Sequence, residues 1–144
     1  MRLAVSALLA SSVWVGCSLA DPVRPDPVEL GPPFSLRLGE SARIAGADLL
    51  VGFEDVSLDS RCPKGERCIT AGDAVARISL RRNNGLKAML ELHTSARATQ
   101  VASAEGHEVR LLRLEPDPIA GKAITKADYR ATLTVGRVSV AAER

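Results

Sequence analysis

Apolar and polar residues alternate along most of the chain from residue 34 onward, a period of two that predicts β-strands rather than helices. The alternation changes phase after Phe53, where Val56 and Leu58 continue it, which predicts a bulge at Glu54 or Asp55. Seven to eight short strands predict an all-β fold, a small antiparallel β-sandwich of Ig-like or related type; a small β-barrel is the alternative. The predicted strands cover residues 34–38, 41–45, 49–58, 74–81, 86–92, 107–115 and 129–140, with a shorter candidate beginning at residue 101.

Two glycine-containing turns predict hairpins within this fold. Asn84-Gly85 has the residue types that suit the two positive-φ positions of a type I′ turn. Glu105-Gly106 predicts a second turn, before a strand over 107–115 that is apolar on both faces and is therefore expected to be central in its sheet. The prolines of Pro116-Asp117-Pro118 end that strand, and residues 119–128 are expected to form a loop with one short turn of helix.

Aromatic residues are scarce, at 3% of the chain, so aliphatic side chains must fill most of the core. Phe34, Phe53 and Tyr129 fall at inward positions of the alternation and are expected to be buried. Ser79, which lies between inward-facing apolar residues, is expected on the solvent side of its strand. So few aromatics also make a sugar-stacking platform improbable on this surface.

The first 16 residues, a basic start followed by a short apolar run, predict a secretory signal peptide. Gly16 before Cys17 resembles a lipobox, in which Cys17 becomes the lipidated first residue; Ser18-Leu19-Ala20 resembles a signal-peptidase site that would release a soluble product after residue 20. We favour the lipoprotein, anchored by its lipid and facing the periplasm or the cell exterior. A soluble secreted or periplasmic protein is the alternative.

Residues 17–33 contain five of the eight prolines and predict an extended tether, which leaves residues 34–144 as a single β domain. Because Cys17 is either lipidated or removed, Cys62 and Cys68 remain as a pair in an oxidising compartment and are expected to form a disulfide. A metal site would require further ligands, and His93 and His107 are solitary. Each histidine is expected to be a surface residue.

Charge and motifs exclude several functions. The net charge is +2 and basic and acidic residues are interspersed, so nucleic acid is not an expected partner. Phosphate-binding glycine loops, calcium loops and nucleophile-elbow motifs are absent from the sequence, and we therefore expect neither a cofactor nor enzymatic activity. A monomer is expected.

A family resemblance adds to this interpretation. It rests on the run Asp59-Ser60-Arg61-Cys62-Pro63-x4-Cys68-x2-Ala71-Gly72, with Leu38-Gly39-Glu40-Ser41-Ala42 and Asp128-Tyr129 as companions. The run resembles a motif of small bacterial secreted proteins and lipoproteins with no assigned activity, over most of residues 34–140. The resemblance implies a β-rich envelope domain with bridged cysteines. Those proteins usually carry an aromatic residue where this chain has Ile69 or Thr70.

We expect the chain to be a non-enzymatic envelope protein that binds a protein or cell-wall partner through its loops. The candidate contact residues are the charged side chains of the cysteine loop, Arg61, Lys64, Glu66 and Arg67, because rigid charged loops on β-scaffolds often bind partners. One alternative is a carrier whose cavity, lined by the leucines of the 74–92 hairpin, holds a small apolar ligand. A second is a hydrolase that uses His93 or His107 beside a serine or a carboxylate.

Overall fold

The computed structural model describes residue 23, residues 26–85 and residues 87–138. These residues form eight β-strands and a single turn of 3-10 helix over Lys126–Asp128, so the predicted all-β class is confirmed. The strands are β1 (Phe34–Arg37), β2 (Ser41–Arg43), β3 (Leu50–Asp59), β4 (Ala74–Arg81), β5 (Lys87–His93), β6 (Val101–Ala104), β7 (His107–Glu115) and β8 (Arg130–Arg137).

The strands form two four-stranded antiparallel sheets, ordered β1-β8-β7-β6 and β2-β3-β4-β5. The described strands do not close into a barrel, so the sandwich prediction is confirmed over its alternative. Strand β7 lies between β6 and β8, as its apolar sequence predicted. Most neighbours within a sheet are consecutive strands, so each sheet is largely a meander.

The two sheets bury their inward faces against each other in one core of mostly aliphatic side chains. Phe53 is fully buried at its centre, and Phe34 and Tyr129 are buried near its edges, as predicted. The other fully buried large side chains are Leu36, Val51, Ile78, Leu80, Leu92, Val109, Leu133 and Val135.

The predicted bulge in β3 is confirmed by a register shift between Phe53 and Asp55. A register shift between Leu111 and Arg113 of β7 corrects the expectation that this strand is apolar on both faces. The extra residue at the bulge turns Leu112 outward, where it is about half exposed. One face of β7 is therefore exposed to solvent.

The type I′ turn was predicted at the wrong hairpin. Arg81 pairs with Lys87 and the backbone N–H of Gly85 donates to Arg82 O, so Asn84-Gly85 belongs to a longer connection. The two-residue turn lies instead at Glu105-Gly106, where both residues have positive φ, 53° and 73°. Ala104 pairs directly with His107 across it.

Ser79 also departs from the prediction, because it is buried on the outer face of its sheet. Its neighbour in the register is Gly52, which has no side chain, and Ser41 flanks Gly52 on the other side. The Ser79 hydroxyl donates to the Glu54 carboxylate, which satisfies it beneath the longer side chains around it.

The last part of the predicted tether lies against the domain. The N–H of Val28 donates to Arg43 O at 2.8 Å, and the N–H of Gly31 donates to Val135 O at 2.9 Å. Val28 and Leu30 also pack against the core. Residues 28–31 therefore belong to the domain rather than to a free tether; most of the predicted tether before residue 26 and the whole predicted signal peptide lie outside the described residues.

Candidate functional site

The connection between β3 and β4, residues 60–73, contains the two cysteines and is called here the disulfide loop. Cys62 and Cys68 are bridged, which confirms the predicted disulfide. At the base of the loop, the N–H of Ser60 donates to Asp73 O at 2.7 Å and the N–H of Cys62 donates to Ala71 O at 2.8 Å. The loop thus continues the β3–β4 hairpin beyond the sheet before it closes at the bridge.

Gly72 allows the two arms of the disulfide loop to touch. Its φ of 71° is in the left-handed region, and a Cβ at this position would stand 1.8 Å from Ser60 O and 2.9 Å from Arg61 Cα. Only glycine fits so close an approach of two backbones.

Arg61 fastens the disulfide loop to the opposite sheet. Its Nε and Nη2 atoms donate to the two carboxylate oxygens of Asp59, at 2.8 and 2.6 Å. Its Nη1 and Nη2 atoms also donate to the carbonyl oxygens of Leu114 and Pro116, at 2.8 and 3.0 Å. The guanidinium therefore joins the end of β3 in one sheet to the end of β7 in the other, in the two-pronged geometry that arginine favours.

Tyr129 completes this cross-sheet cluster by donating its hydroxyl proton to Asp59 Oδ2 at 2.9 Å. Burial opposes ionisation of Asp59, but the hydrogen bonds from Arg61 and Tyr129 outweigh it and hold the pKa of this carboxyl below its usual value. Burial, together with the hydrogen bond to Asp59, raises the pKa of Tyr129 to about 12. The hydrogen bond to Asp59 likewise raises the pKa of Arg61.

Tyr129 is the single tyrosine of the chain, so its ionisation can be followed directly by absorbance. Because its folded pKa is about 12, we expect roughly 10% tyrosinate at pH 11 in the native protein and about 90% in urea, where the pKa is near 10. The raised pKa stabilises the fold below pH about 10, and this contribution is lost as the pH rises towards about 12. Equal ionisation in native and urea-unfolded samples, with the sheet intact by circular dichroism, would contradict the cluster.

Lys64 docks the tip of the disulfide loop onto the segment that follows β7. Its backbone N–H donates to Pro118 O at 2.9 Å, and its carbonyl accepts from the N–H of Ala120 at 3.0 Å. Its ammonium also pairs with Asp117 at 2.9 Å, and this contact lowers the pKa of Asp117. Because that ion pair is exposed, the two backbone hydrogen bonds contribute most of the stability of this contact.

The four predicted contact residues are therefore not equivalent. Lys64, Glu66 and Arg67 are exposed on the disulfide loop, as a contact surface requires. The Arg61 side chain is only 13% exposed and is occupied by Asp59 and two carbonyls. Its direct contact with a partner stays a prediction, while the contacts it makes here are structural. The sequence also gave no indication that Ile69, at the far side of the bridge, would be fully exposed.

Asp73, at the end of the disulfide loop, fixes a second loop that connects β5 to β6. Its Oδ1 atom accepts from the N–H of Ser95 at 2.8 Å and from the Thr94 hydroxyl at 3.0 Å, and its Oδ2 atom lies 2.5 Å from Nδ1 of His93. Burial opposes ionisation of Asp73, but these hydrogen bonds outweigh it, so the pKa of Asp73 lies below its usual value.

Replacing Asp73 by Ala is expected to free the β5–β6 loop while leaving the sheets folded. The amide of Ser95 loses its acceptor and should exchange with deuterium about 10-fold faster or more, because its protection depends on this carboxylate. Asp48→Ala, at the opposite end of the sandwich, is the matched control, since Asp48 likewise accepts from a loop amide, that of Asn83. Unchanged exchange at Ser95 in Asp73→Ala would show that Asp73 does not hold this loop.

The two fixed loops enclose an open groove of about 930 Å³ at one end of the sandwich. One wall is the disulfide loop and the other is the β5–β6 connection over residues 94–97. The lining residues include Ile69, Thr70, Ala71, Gly72, Asp73, Ser95, Ala96 and Arg97. We take this groove, with the exposed tip beside it, as the candidate functional site.

The histidines give no complete catalytic constellation among the described residues. His93 is half-buried and bonded to Asp73, and within the described chain no serine or threonine hydroxyl is hydrogen-bonded to its ring. His107 is buried, and its Nδ1 lies 2.9 Å from Glu105 O. The expectation that both are surface residues was therefore wrong for His107, whereas His93 keeps part of its side chain exposed beside Asp73.

The apolar-carrier alternative lacks a matching cavity in the part of the chain that the structure describes. Leu90 and Leu92 of the β4–β5 hairpin are buried in the core and line none of the described grooves. No cluster of three or more His, Cys, Asp or Glu side chains suited to a metal ion occurs within these residues. Among the same residues, no helix has the length and hydropathy to cross a membrane.

The structure defines the class of this chain by its fold alone, an all-β sandwich. The chain matches no protein-family model, no curated protein and no solved structure. The resemblance to bacterial secreted proteins and lipoproteins therefore stays a prediction. Any functional assignment has to be argued from the groove itself.

Proposed function

We propose that this chain is a non-enzymatic protein of the cell envelope that binds a partner through the groove and the disulfide loop. The observation that carries the proposal is the set of contacts that holds both walls of the groove without a partner. The disulfide, the Arg61 cluster and the Lys64 backbone bonds fix one wall, and Asp73 fixes the other. Loops held in this way lose little conformational freedom on binding, which favours affinity.

The fully exposed Ile69 side chain supports the same proposal. A large apolar residue exposed beside a disulfide gains no stability from its position, since nothing in the described chain covers it. Arg67 is also exposed on this loop and forms no ion pair with any described residue. Arginine is over-represented in binding surfaces.

Export belongs to the proposal and is supported by the chain's chemistry. Cys17 and the predicted signal peptide lie outside the described residues. Structural disulfides persist in oxidising compartments, so the Cys62–Cys68 bridge supports a location outside the cytoplasm. We propose a lipoprotein attached through Cys17, with soluble secretion after Ala20 as the alternative. The intact mass of the product purified from its host distinguishes the two.

A photo-crosslinking amino acid placed at Ile69 tests the binding function in cells that make the protein. We expect a discrete covalent adduct whose mass identifies the partner. The same crosslinker at Asn83, which is exposed at the opposite end of the sandwich, is the control and should give none. No adduct from Ile69, or the same adducts from both positions, would overturn the proposed site.

A further inference from the structure

The base of the disulfide loop is held by contacts that do not involve a sulfur atom. The backbone hydrogen bonds at Ser60 and Cys62 join its two arms, and the Arg61 side chain binds the opposite sheet. Lys64 has its own two backbone hydrogen bonds to the segment after β7. All of these contacts remain possible when the Cys62–Cys68 bridge is open.

The outer arm of the disulfide loop, defined here as residues 67–70, depends on the bridge instead. Within the described residues, none of these four residues forms a hydrogen bond or an ion pair. Cys68 is joined to Cys62, so the bridge is the only cross-link between this arm and the rest of the described chain. The arm carries the fully exposed Ile69, and both Ile69 and Thr70 line the groove. The bridge therefore sets the position of this part of the contact surface.

The bridge is also accessible from solvent. Cys68 is an exposed residue, and so are its neighbours Arg67 and Ile69, whereas Cys62 is half-buried. Thiol–disulfide exchange requires a thiolate to reach one of the two sulfurs, and exposed bridges are the ones that are commonly labile or regulatory. An incoming thiolate therefore reaches Cys68 first.

We infer that the Cys62–Cys68 bridge is a redox switch of the contact surface. Reduction by a dithiol, on a small molecule or on an exported oxidoreductase, frees the outer arm and releases the partner while the sandwich and the base of the loop stay folded. This inference rests on the proposed function and adds its regulation.

The exchange is balanced by the dithiol alone. One thiolate of the dithiol attacks Sγ of Cys68, which forms a mixed disulfide and releases Cys62 as a thiolate. The second thiolate attacks the dithiol's own sulfur in that mixed disulfide and releases Cys68. The two protons of the dithiol end on the two cysteines, the bridge gains two electrons, and the dithiol is oxidised to a disulfide. The reverse exchange with such a disulfide closes the bridge again.

Opening the bridge should mobilise the outer arm, because no hydrogen bond offsets the backbone entropy of holding it in one conformation. A partner that contacts Ile69 then has to order the arm again when it binds, and this cost lowers its affinity. The base of the loop keeps its contacts, so the change is confined to one end of the sandwich.

Nitrogen-15 relaxation of the oxidised and the dithiothreitol-reduced protein measures the switch without a partner. Order parameters of residues 67–70 should be near 0.85 in the oxidised protein and below about 0.6 in the reduced protein, with the strands rigid in both. The N–H of Cys62 should stay protected from deuterium exchange in both states, because its acceptor is Ala71 O. An outer arm that stays ordered after reduction, or a sandwich that unfolds with it, would overturn the inference.

The accessibility of the bridge has a separate readout. Dithiothreitol followed by iodoacetamide should alkylate Cys62 and Cys68 in the absence of urea, at a rate within about 10-fold of the rate in urea. The mass of the product reports both additions. A bridge that is reduced only after unfolding in urea would be purely structural, which contradicts a switch.

Partner release is measured with the photo-crosslinker at Ile69 in cells. The double variant Cys62→Ser, Cys68→Ser is the permanently open form, and its adduct yield per chain should fall about 10-fold or more. Dithiothreitol added to the cells should lower the yield of the parent chain by a similar factor and leave that of the double variant unchanged, which separates the bridge from other effects of the reductant. Circular dichroism and thermal unfolding show whether the double variant is folded.

The outcomes separate the switch from the function it regulates. An undiminished Ile69 adduct in the open form, or in reductant-treated cells, would overturn the switch and leave the proposed function standing. No adduct from either form would overturn both.

Discussion

Replacing Arg61 by Leu is expected to cost about 2–4 kcal/mol of the free energy of unfolding, because the substitution leaves the Asp59 carboxylate unpaired and nearly buried. The figure is below that for a fully buried pair, since both side chains keep some contact with water. Arg113→Leu is the matched control. Arg113 lies near the same strand end, but it is 59% exposed where it contacts Glu115, and its loss should cost less than about 1 kcal/mol. Urea denaturation measures both.

The same variant should change how stability depends on acid. The pKa of Asp59 is depressed in the folded protein, so its contribution is present above pH about 4 and is lost as the pH falls below that value. Without Arg61 the depression is smaller, and the loss of stability between neutral pH and pH 3 should shrink. An Arg61→Leu variant with wild-type stability, and with the wild-type loss of stability between neutral pH and pH 3, would contradict the role assigned to this cluster.

Replacing Gly72 by Ala is expected to cost about 3 kcal/mol or more, since the new methyl group would collide with the backbone at Ser60 and the residue would keep a left-handed φ. Gly121→Ala separates the two causes. Gly121 has a similar φ of 76° with nothing near its missing Cβ, so its substitution should cost only about 1 kcal/mol. Urea denaturation midpoints and slopes give both values.

Equal costs for the two glycine substitutions would show that the arms of the disulfide loop are not in contact at Gly72. The groove would then lack the inner wall that the disulfide loop provides. A larger cost for Gly72→Ala, with the Cys62–Cys68 bridge still formed by mass, confirms the contact.

The strands and the core could be predicted from the sequence because each depends on local alternation. Phe34, Phe53 and Tyr129 all fall on inward positions, and the phase change after Phe53 marked its bulge. The turn was assigned to the wrong hairpin because residue type alone favours Asn84-Gly85. The two-residue turn forms at Glu105-Gly106 instead, because its position is set by strand length and register, which depend on the whole sheet.

The functional end was only partly predictable, because its contacts join residues distant in sequence. The charged cysteine loop was identified correctly as exposed at Lys64, Glu66 and Arg67, but no local pattern marked Arg61 as bound to Leu114 and Pro116, 53 and 55 residues away. The spacing of Asp59 and Arg61, two residues apart at a strand end, was the one local signal for that pair. No local sequence signal marked the contact between Asp73 and residues 94–97, because these residues come together only after β4 and β5 have paired.

Nitrogen-15 relaxation of the uniformly labelled domain tests the central claim, that the disulfide loop is held rigid before any partner binds. Backbone order parameters for residues 61–73 and 94–97 should match those of the strands, near 0.85. Values below about 0.6 over the disulfide loop, with the strands still rigid, would contradict the account, because a mobile loop could not present a preformed groove.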